Sequence, residues 1–303
     1  MSDFPRNTVG FKTSPQRVEW NQLDEIWAAA GELDVFAAGW LNDHLTDMTD
    51  AHGPSLEALT LLATLAHHVR GAWVGHAVLS NTFRHPSVLA KAATVLDHAT
   101  RGRFVLGLGA GWHEGEHRSL GIPLPPIRER IDRLESAVDV LHALFSTDAA
   151  APPGVTRPDP FYRLDGAVNQ PPPLTPGGPP IFLGGQRRRG IALAGRAADG
   201  WLLPGVNAGD DAYFGRKRDE LLRAIDAAGR SAESFAFVGQ VHPGPTPEAR
   251  RTALAQAQAL HRAGATHITL GLAAGQGPDG LRAIAHEVAE PLLVSMDGQR
   301  RAA

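Results

Sequence analysis

The chain is predicted to be an α/β protein of the (β/α)8 TIM-barrel form, with an insertion after the fourth helix. Two observations predict it. Short apolar runs alternate with longer segments of helical period along all 303 residues, the mark of repeated βαβ units. Eight such units are countable, and eight units of this kind close a barrel of about 250 residues plus insertions. An open doubly wound sheet shows the same alternation and stays as the alternative reading of the pattern.

The first strand is expected at Thr8–Thr13, with a helix near Val18–Leu33. The second is expected at Val35–Leu41, followed by a helix near Leu56–His68. The third spans Ala72–Leu79, and its helix runs from Pro86 to about Ala99. Proline suits a first helical turn, where its missing N–H costs nothing. The fourth strand is Phe104–Leu108, with a helix near Arg128–Phe145. Residues 147–178 then lose periodicity and become rich in Pro and Gly. That stretch exceeds an ordinary connection, and loops longer than about 15 residues are usually lids or disordered. The remaining strands are Ile181–Leu183, Trp201–Leu203, Phe235–Val241 and His267–Leu272. Their helices fall near Arg188–Ala197, Ala212–Ala227, Pro247–Ala263 and Leu281–Val294. Residues 1–303 are read as a single barrel domain carrying the insertion 147–178.

Composition narrows the function classes. The chain is 43% hydrophobic and 20% charged, with a formal net charge of -3, which argues against a strongly basic nucleic-acid binder. It has no cysteine, so disulfides, thiolate metal ligands, iron–sulfur clusters and thiol nucleophiles are excluded. Met1–Ser14 holds no apolar stretch of signal-peptide length. The most apolar region, Leu56–Val69, falls short of the roughly 20 residues a membrane span needs. The expectation is a cytoplasmic protein acting on a small organic molecule, with neither nucleic acid nor membrane as partner.

In such a barrel, chemistry sits just past the strands, at their C-terminal ends. After strand two come Asp43 and His44, either an acid/base pair or a loop-capping Asp beside a hydrogen-bonded His. After strand three come Ser80, Asn81 and Thr82, which can hold a polar ligand or cap the next helix; Arg84 can pair with a carboxylate. After strand four, Gly107, Gly109 and Gly111 alternate before Trp112, letting backbone approach a ligand. This is not the dinucleotide fingerprint, because Trp112 stands where the pattern continues toward its third glycine. After strand five, Gly184, Gly185 and Gln186 precede Arg187, Arg188 and Arg189. A glycine pair before a helix N-terminus is a natural anion site, though a solvated basic helix start is the plainer reading.

His113-Glu-Gly-Glu-His117 matches a zinc-hydrolase pattern, H-E-x-x-H. Gly115 in its middle and Gly121 and Pro123 after it favour a loop or a short frayed turn over a steady helix, and the chemistry also needs a third ligand elsewhere. His67 and His68 are adjacent on an expected helix and make a poor ligand pair. Trp40, Trp112, Phe161 and Tyr162 can form an aromatic wall at the site or belong to the core.

Taken in order, several segments resemble the luciferase-like family of flavin monooxygenases and coenzyme F420-dependent oxidoreductases. They are Trp40-Leu-Asn-Asp-His, Leu56-Glu-Ala, Asn81-Thr-Phe-Arg-His-Pro and Leu89-Ala-Lys-Ala-Ala-Thr-Val-Leu-Asp. Gly102-Arg-Phe-Val-Leu-Gly-Leu-Gly-Ala-Gly-Trp-His-Glu, Gly121-Ile-Pro-Leu-Pro-Pro and Arg128-Glu-Arg-Ile-Asp-Arg-Leu-Glu continue the series. Leu183-Gly-Gly and Ala198-Asp-Gly-Trp close it. Beyond about residue 205 the likeness lies only in the strand–helix rhythm.

The resemblance implies a coenzyme lying across the strand ends. It places Asp43 and His44 beside the ring, with His44 as proton donor or base and Asp43 as its orienter or a ring contact. Ala77 and Val78 match the place of a non-prolyl cis peptide that supports the ring, with Asn81 nearby. Ala110-Gly111 and Gly184-Gly185 match the backbone that binds the coenzyme phosphate, with Gln186 and Arg187 as further phosphate contacts and Trp112 also on the coenzyme side. The loop after Gly185 is about one residue shorter than the usual family form. Trp112 stands where sugar-phosphate dehydrogenases of the family place a catalytic Glu, which argues against that activity. The leading expectation is an F420-dependent oxidoreductase exchanging a hydride with an electron-poor C=C or C=N bond. The rivals are an FMN-dependent monooxygenase, a metal hydrolase using His113 and His117, and a flavin-binding protein without turnover. The resemblance also suggests a homodimer.

Overall fold

The computed structural model describes residues 4–50 and 52–302, with the side chains of 299–302 left aside. Met1–Asp3, part of the stretch read for a leader, lie outside the described residues, as do Ala51 and Ala303.

The chain runs β1 (Thr8–Thr13), α1 (Trp20–Gly31), β2 (Ala38–Leu41), α2 (Ala58–Leu65), β3 (Trp73–His76), β4 (Leu79–Ser80) and α3 (Pro86–Ala99). It continues with β5 (Phe104–Gly109), α4 (Glu114–Ser119), α5 (Ile127–Phe145), β6 (Val155–Arg157) and β7 (Leu164–Ala167). Next come β8 (Ile181–Leu183), α6 (Arg188–Ala197), β9 (Gly200–Leu202), α7 (Asp211–Ala227), β10 (Ala236–Val241), α8 (Pro247–Arg262) and β11 (His267–Gly271). The last helix is α9 (Gly277–Ile284), a π-helical turn (Ala285–Ala289) and α10 (Glu290–Ala302).

The strands run β3-β2-β1-β11-β10-β9-β8-β5, and a direct β3–β5 pairing closes the ring. All these pairings are parallel, so the open sheet is set aside and the predicted barrel is confirmed. β3 and β4 share one ring position. Val74 pairs with Phe104, but five residues later Leu79 pairs with Leu108, only four beyond Phe104. The extra residue is a bulge, and within it the Ala77–Val78 peptide bond is cis, where the family resemblance had located one. The continuous strand expected over Ala72–Leu79 is therefore broken in two.

Alternation along each strand divides the core. In β1, Val9, Phe11 and Thr13 are buried outward, toward the helices, and Thr8, Gly10 and Lys12 face the barrel axis. The axis is filled low down by Phe4, whose ring centroid lies 5.4 Å from Trp73, 5.2 Å from Phe182 and 5.1 Å from His267. Trp40 is wholly buried in this inner cluster, so it is core and not part of a mouth-facing wall. His267 shows how a polar group survives there. The Trp40 indole N–H can only donate, so it fixes His267 Nε2 as the acceptor at 3.3 Å. Nδ1 then carries the proton and donates to Thr8 Oγ1 at 2.9 Å. Burial pushes the imidazole pKa down to about 3.

The 147–178 segment is not a bare loop. It opens with a 3-10 turn, Thr147–Ala150, and carries the antiparallel hairpin β6–β7, too short to show a period. Its Tyr162 is buried against the barrel, with its ring 5.1 Å from that of His85. Phe161 is half-buried beneath the Arg133 guanidinium, 4.8 Å from its ring centre.

Candidate active site at the barrel mouth

The C-terminal strand ends bring together residues far apart in sequence. Asp43, past β2, is a wholly buried carboxylate. Arg84 grips both its oxygens, Nη1 to Oδ2 at 2.7 Å and Nη2 to Oδ1 at 2.9 Å. The Ser80 N–H adds a third bond to Oδ2 at 2.8 Å. Arg84 also binds Glu57, the residue capping α2 through the N–H groups of Leu59 and Thr60. Burial opposes charge on Glu57, but the bonds from Thr60 and Arg84 prevail and hold its pKa at about 2. The same balance raises Arg84, where burial is outweighed by Asp43 and Glu57.

This corrects the expectation that Asp43 orients His44. The carboxylate behind His44 belongs to Glu116, with Oε2 3.3 Å from His44 Nδ1. Glu116 is buried, and its Oε1 accepts from the backbone N–H of Leu45 and, at 3.0 Å, of Thr46. Burial alone would raise the Glu116 pKa; the bonds from His44, Thr46 and Leu45 lower it. An ionised Glu116 accepts only, so Nδ1 of His44 carries a proton. Nε2 makes no hydrogen bond among the described residues. Trp112, largely exposed, stands edge-on to the His44 ring at 5.9 Å.

Glu116 comes from the H-E-x-x-H segment, which forms one short helix of six residues, α4, between the loop or frayed turn and the steady helix that were weighed for it. His113 is its N-cap, accepting from Glu116 N–H at 3.1 Å. His117 is buried, and both its nitrogens are engaged: Nδ1 with the His113 carbonyl at 2.8 Å and Nε2 with Thr82 Oγ1 at 2.7 Å. Thr82 in turn meets Ser80 Oγ at 2.7 Å. Among the described residues no His, Asp or Glu cluster could hold a metal ion, so the hydrolase reading lacks its ligand set. Ser80, Asn81 and Thr82 do not cap α3, since His85 does so by accepting from Ser87 N–H. His67 and His68 lie beyond the end of α2, with ring centres 3.9 Å apart and His68 Nε2 2.7 Å from Asp24.

The glycines after β5 and β8 form a cradle around Val78. A Cβ on Gly109 would lie 2.8 Å from Val78 Cγ2, and one on Gly184 would lie 3.2 Å from it. Part of the glycine requirement is therefore packing around the β3–β4 bulge. Gly185 also has a packing reason, since a Cβ there would lie 2.9 Å from Gly190 Cα on α6. Nearby, Asn81 donates to Tyr162 Oη at 3.4 Å, while its buried Oδ1 has no partner. The N-terminus of α6 has no side-chain cap. Arg187 and Arg188 are exposed, whereas Arg189 is held by Asp132 at 2.7 Å and by Glu135 at 2.9 Å and is not free to meet a ligand. Gln186 accepts from Tyr213 Oη at 2.5 Å.

Glu116, Tyr213 and Arg130, whose Nη1 donates to the Gly111 carbonyl at 2.6 Å, were missed by sequence reasoning as members of this site. Glu116 and Arg130 lay in segments the sequence displayed, the H-E-x-x-H stretch and Arg128–Glu135. A cleft of about 470 Å³ lined by Trp73, Arg101, Pro180 and Asp199 lies at the beginnings of the strands, the opposite face from the chemistry of such barrels. No described helix is long and apolar enough to cross a membrane.

Residues 11–298 match the family model for luciferase-like monooxygenases. The chain belongs to that family. It is 31% identical over 232 residues to an F420-dependent glucose-6-phosphate dehydrogenase of Nakamurella multipartita, covering 76% of this chain and 66% of the relative. It is 30% identical over 216 residues to an F420-dependent hydroxymycolic acid dehydrogenase of Mycobacterium tuberculosis, covering 70% and 58%. The matched region thus spans just under two thirds of the first relative and less of the second. A solved F420-dependent secondary alcohol dehydrogenase, in complex with an F420–acetone adduct, superposes with a TM-score of 0.76 over 94% of this chain and 99% of that one. At 15% identity it speaks to the shared fold alone.

Proposed function

We propose that this family member is an F420-dependent oxidoreductase that exchanges a hydride with an electron-poor C=C or C=N bond of a small organic molecule, His44 handling the accompanying proton. The observation that carries the reading is the His44–Glu116 pair past β2, with Nε2 of His44 making no hydrogen bond among the described residues. The two F420-dependent relatives support the choice of coenzyme.

The residues present fit such a group. Asn81 Oδ1 is a buried acceptor in want of a donor, and Gly109 and Gly184 let Val78 pack close against the strand ends where a flat ring would lie. Ala77, Val78 and Asn81 would flank the ring, with Asp43 acting through Arg84 and the Ser80 N–H to hold that arc in place. Ala110, Gly111, Trp112, Gly184, Gly185, Gln186 and Arg187 would hold the remainder, the uncapped N-terminus of α6 favouring a phosphate. F420, when bound, supplies the hydride chemistry.

The chain's own contribution is proton management. Glu116 keeps Nδ1 protonated and fixes the orientation of the imidazole, as a buried carboxylate does behind a catalytic histidine. His44 can therefore release a proton from Nε2 and recover it with little movement. Trp112 covers one edge of the imidazole and limits water around it.

Fluorescence titration of the protein with F420 and with FMN tests the coenzyme. Binding of F420 at micromolar concentration, with FMN at least tenfold weaker, is expected. FMN binding without F420 binding would move the assignment to a monooxygenase.

A further inference from the structure

The arc of the mouth formed by β10, β11 and β1 takes no part in the site described above. Lys12 is on the inward row of β1, in register with Gly271 of β11. Its ammonium makes one hydrogen bond, to Gln240 Oε1 at 3.3 Å, and no ion pair among the described residues. Gln240 is anchored by its own amide donating to the Leu203 carbonyl, so its oxygen stays turned to Lys12. His242, one inward step beyond Gln240, lies over Gly271: a Cβ on that glycine would come within 2.3 Å of His242 Nδ1. Beside Gln240 in register is Thr269, whose buried Oγ1 has no partner.

An amine, a fixed amide, an imidazole and an unsatisfied hydroxyl thus share one wall without a carboxylate. Buried charge without a counter-charge is costly. Burial pushes the Lys12 pKa down to about 8. The exposed His242 is lowered as well, by the protein around it and then by Lys12. The wall is therefore short of one negative charge.

We propose that Lys12, supported by Gln240 and His242, is the substrate-binding cation of this barrel, and that the substrate carries an oxyanion group, a carboxylate or a phosphate, which docks on the β10–β1 arc. The proposal rests on the F420 reading in one respect. The coenzyme is assigned to the arc from β2 to β8, which leaves the β10–β1 arc for the molecule that reacts with it.

The test uses three probes of one shape: benzoate, phenyl phosphate and the neutral benzamide. Calorimetry measures their binding to the wild-type protein, with and without F420, and to Lys12→Met and Lys12→Arg. At least one anionic probe should bind wild type ten times more tightly than benzamide, about 1.4 kcal/mol. The anion preferred by the wild type identifies the group. Lys12→Met should lose the preference, Lys12→Arg should keep part of it, and F420 affinity should stay within about twofold in both. Equal binding of anions and benzamide by the wild type overturns the proposal whatever the variants do. So does a preference that survives in Lys12→Met, or a variant that loses F420 in place of the anion, because Lys12 would then serve the coenzyme. If the wild type binds no F420, the proposed function falls, while the anion preference of the coenzyme-free protein still decides the role of Lys12.

Discussion

On the β2–β5 side of the barrel mouth most of the strong polar groups are tied to protein. Asp43 is held by Arg84 and Ser80, Arg84 also by Glu57, and His117 by Thr82 and His113. Among the described residues, Nε2 of His44 makes no hydrogen bond and Oδ1 of Asn81 has no partner. On the β10–β1 side the proportions reverse. Lys12 has one neutral partner and Thr269 Oγ1 has none. A satisfied network is stiff, since moving any member breaks several bonds at once. An unsatisfied wall has its bonding capacity left for a ligand. The difference separates a scaffold that aims one histidine from a surface that selects what is brought to it.

The largest effects should follow from breaking the aimed side. His44→Ala removes an imidazole whose Nε2 makes no hydrogen bond among the described residues. A positioned acid contributes roughly 10² to 10⁴ in rate, so kcat should fall by that order while F420 affinity changes little. Single-turnover oxidation of bound reduced coenzyme at several pH values reads this directly. A wild-type rate with an unchanged pH profile would end the proton-donor role. Arg84→Met attacks the scaffold itself and strands the Asp43 carboxylate in the interior. Removing one partner of a buried pair costs about 3–5 kcal/mol, visible as a lower urea midpoint. A loss below about 1 kcal/mol would mean that the clamp resembles a surface ion pair and does not stiffen the arc.

These contrasts mark what was legible in the sequence. The barrel was, because strand and helix periods are local, and α3 and α6 lie where expected. The break between β3 and β4 was not, because a one-residue bulge leaves the apolar run of Val74 to Leu79 intact. His44 was visible as a strand-end histidine, but its partner was assigned to the adjacent Asp43. Adjacent residues on an extended segment point apart, and the true partner is 72 positions away, brought in by α4. Glu116 was overlooked because its motif read as a false zinc site. The glycines were read for phosphate alone; their packing against Val78 and Gly190 depends on contacts that no local pattern reveals. Lys12 passed unnoticed as one charge in an otherwise apolar strand.

A smaller effect comes from the buried histidines. His76 and His267 are buried, with burial holding their pKa values near 4 and 3, against 6.5 when free. Between those limits the unfolded chain binds the proton that the folded chain refuses. Stability should therefore be level between about pH 6.5 and 8 and fall as the pH drops below 6.5, by up to about 1.4 kcal/mol per unit for each histidine. Glu57, with its pKa held at about 2, loses its contribution only below about pH 4.5, so urea unfolding between pH 7 and 5 reads the lowered histidines, His242 with its pKa near 4 among them. A flat profile there would show that the interior tolerates the charge. His267→Gln should reduce the slope without touching coenzyme binding.

The smallest effect tests whether the start of α6 meets an anion at all. Gly185→Ala is a poor probe, because its new methyl meets Gly190 Cα at 2.9 Å and displaces the helix; overpacking of this kind costs about 1–3 kcal/mol with or without a ligand. Arg187 and Arg188 are better placed, since both are exposed and neither is in an ion pair among the described residues. Exposed charges act weakly and are screened by salt over about 8–10 Å. Arg187→Ala should therefore weaken F420 by only about threefold at low salt, leave stability unchanged, and lose its effect at 0.5 M salt. Arg189→Ala provides the contrast, because its guanidinium is committed to Asp132 and Glu135 and its removal should leave F420 affinity as it was. Equal losses from the two substitutions, or none from Arg187→Ala at low salt, would show that neither side chain reaches the ligand and that any phosphate there is held by backbone alone.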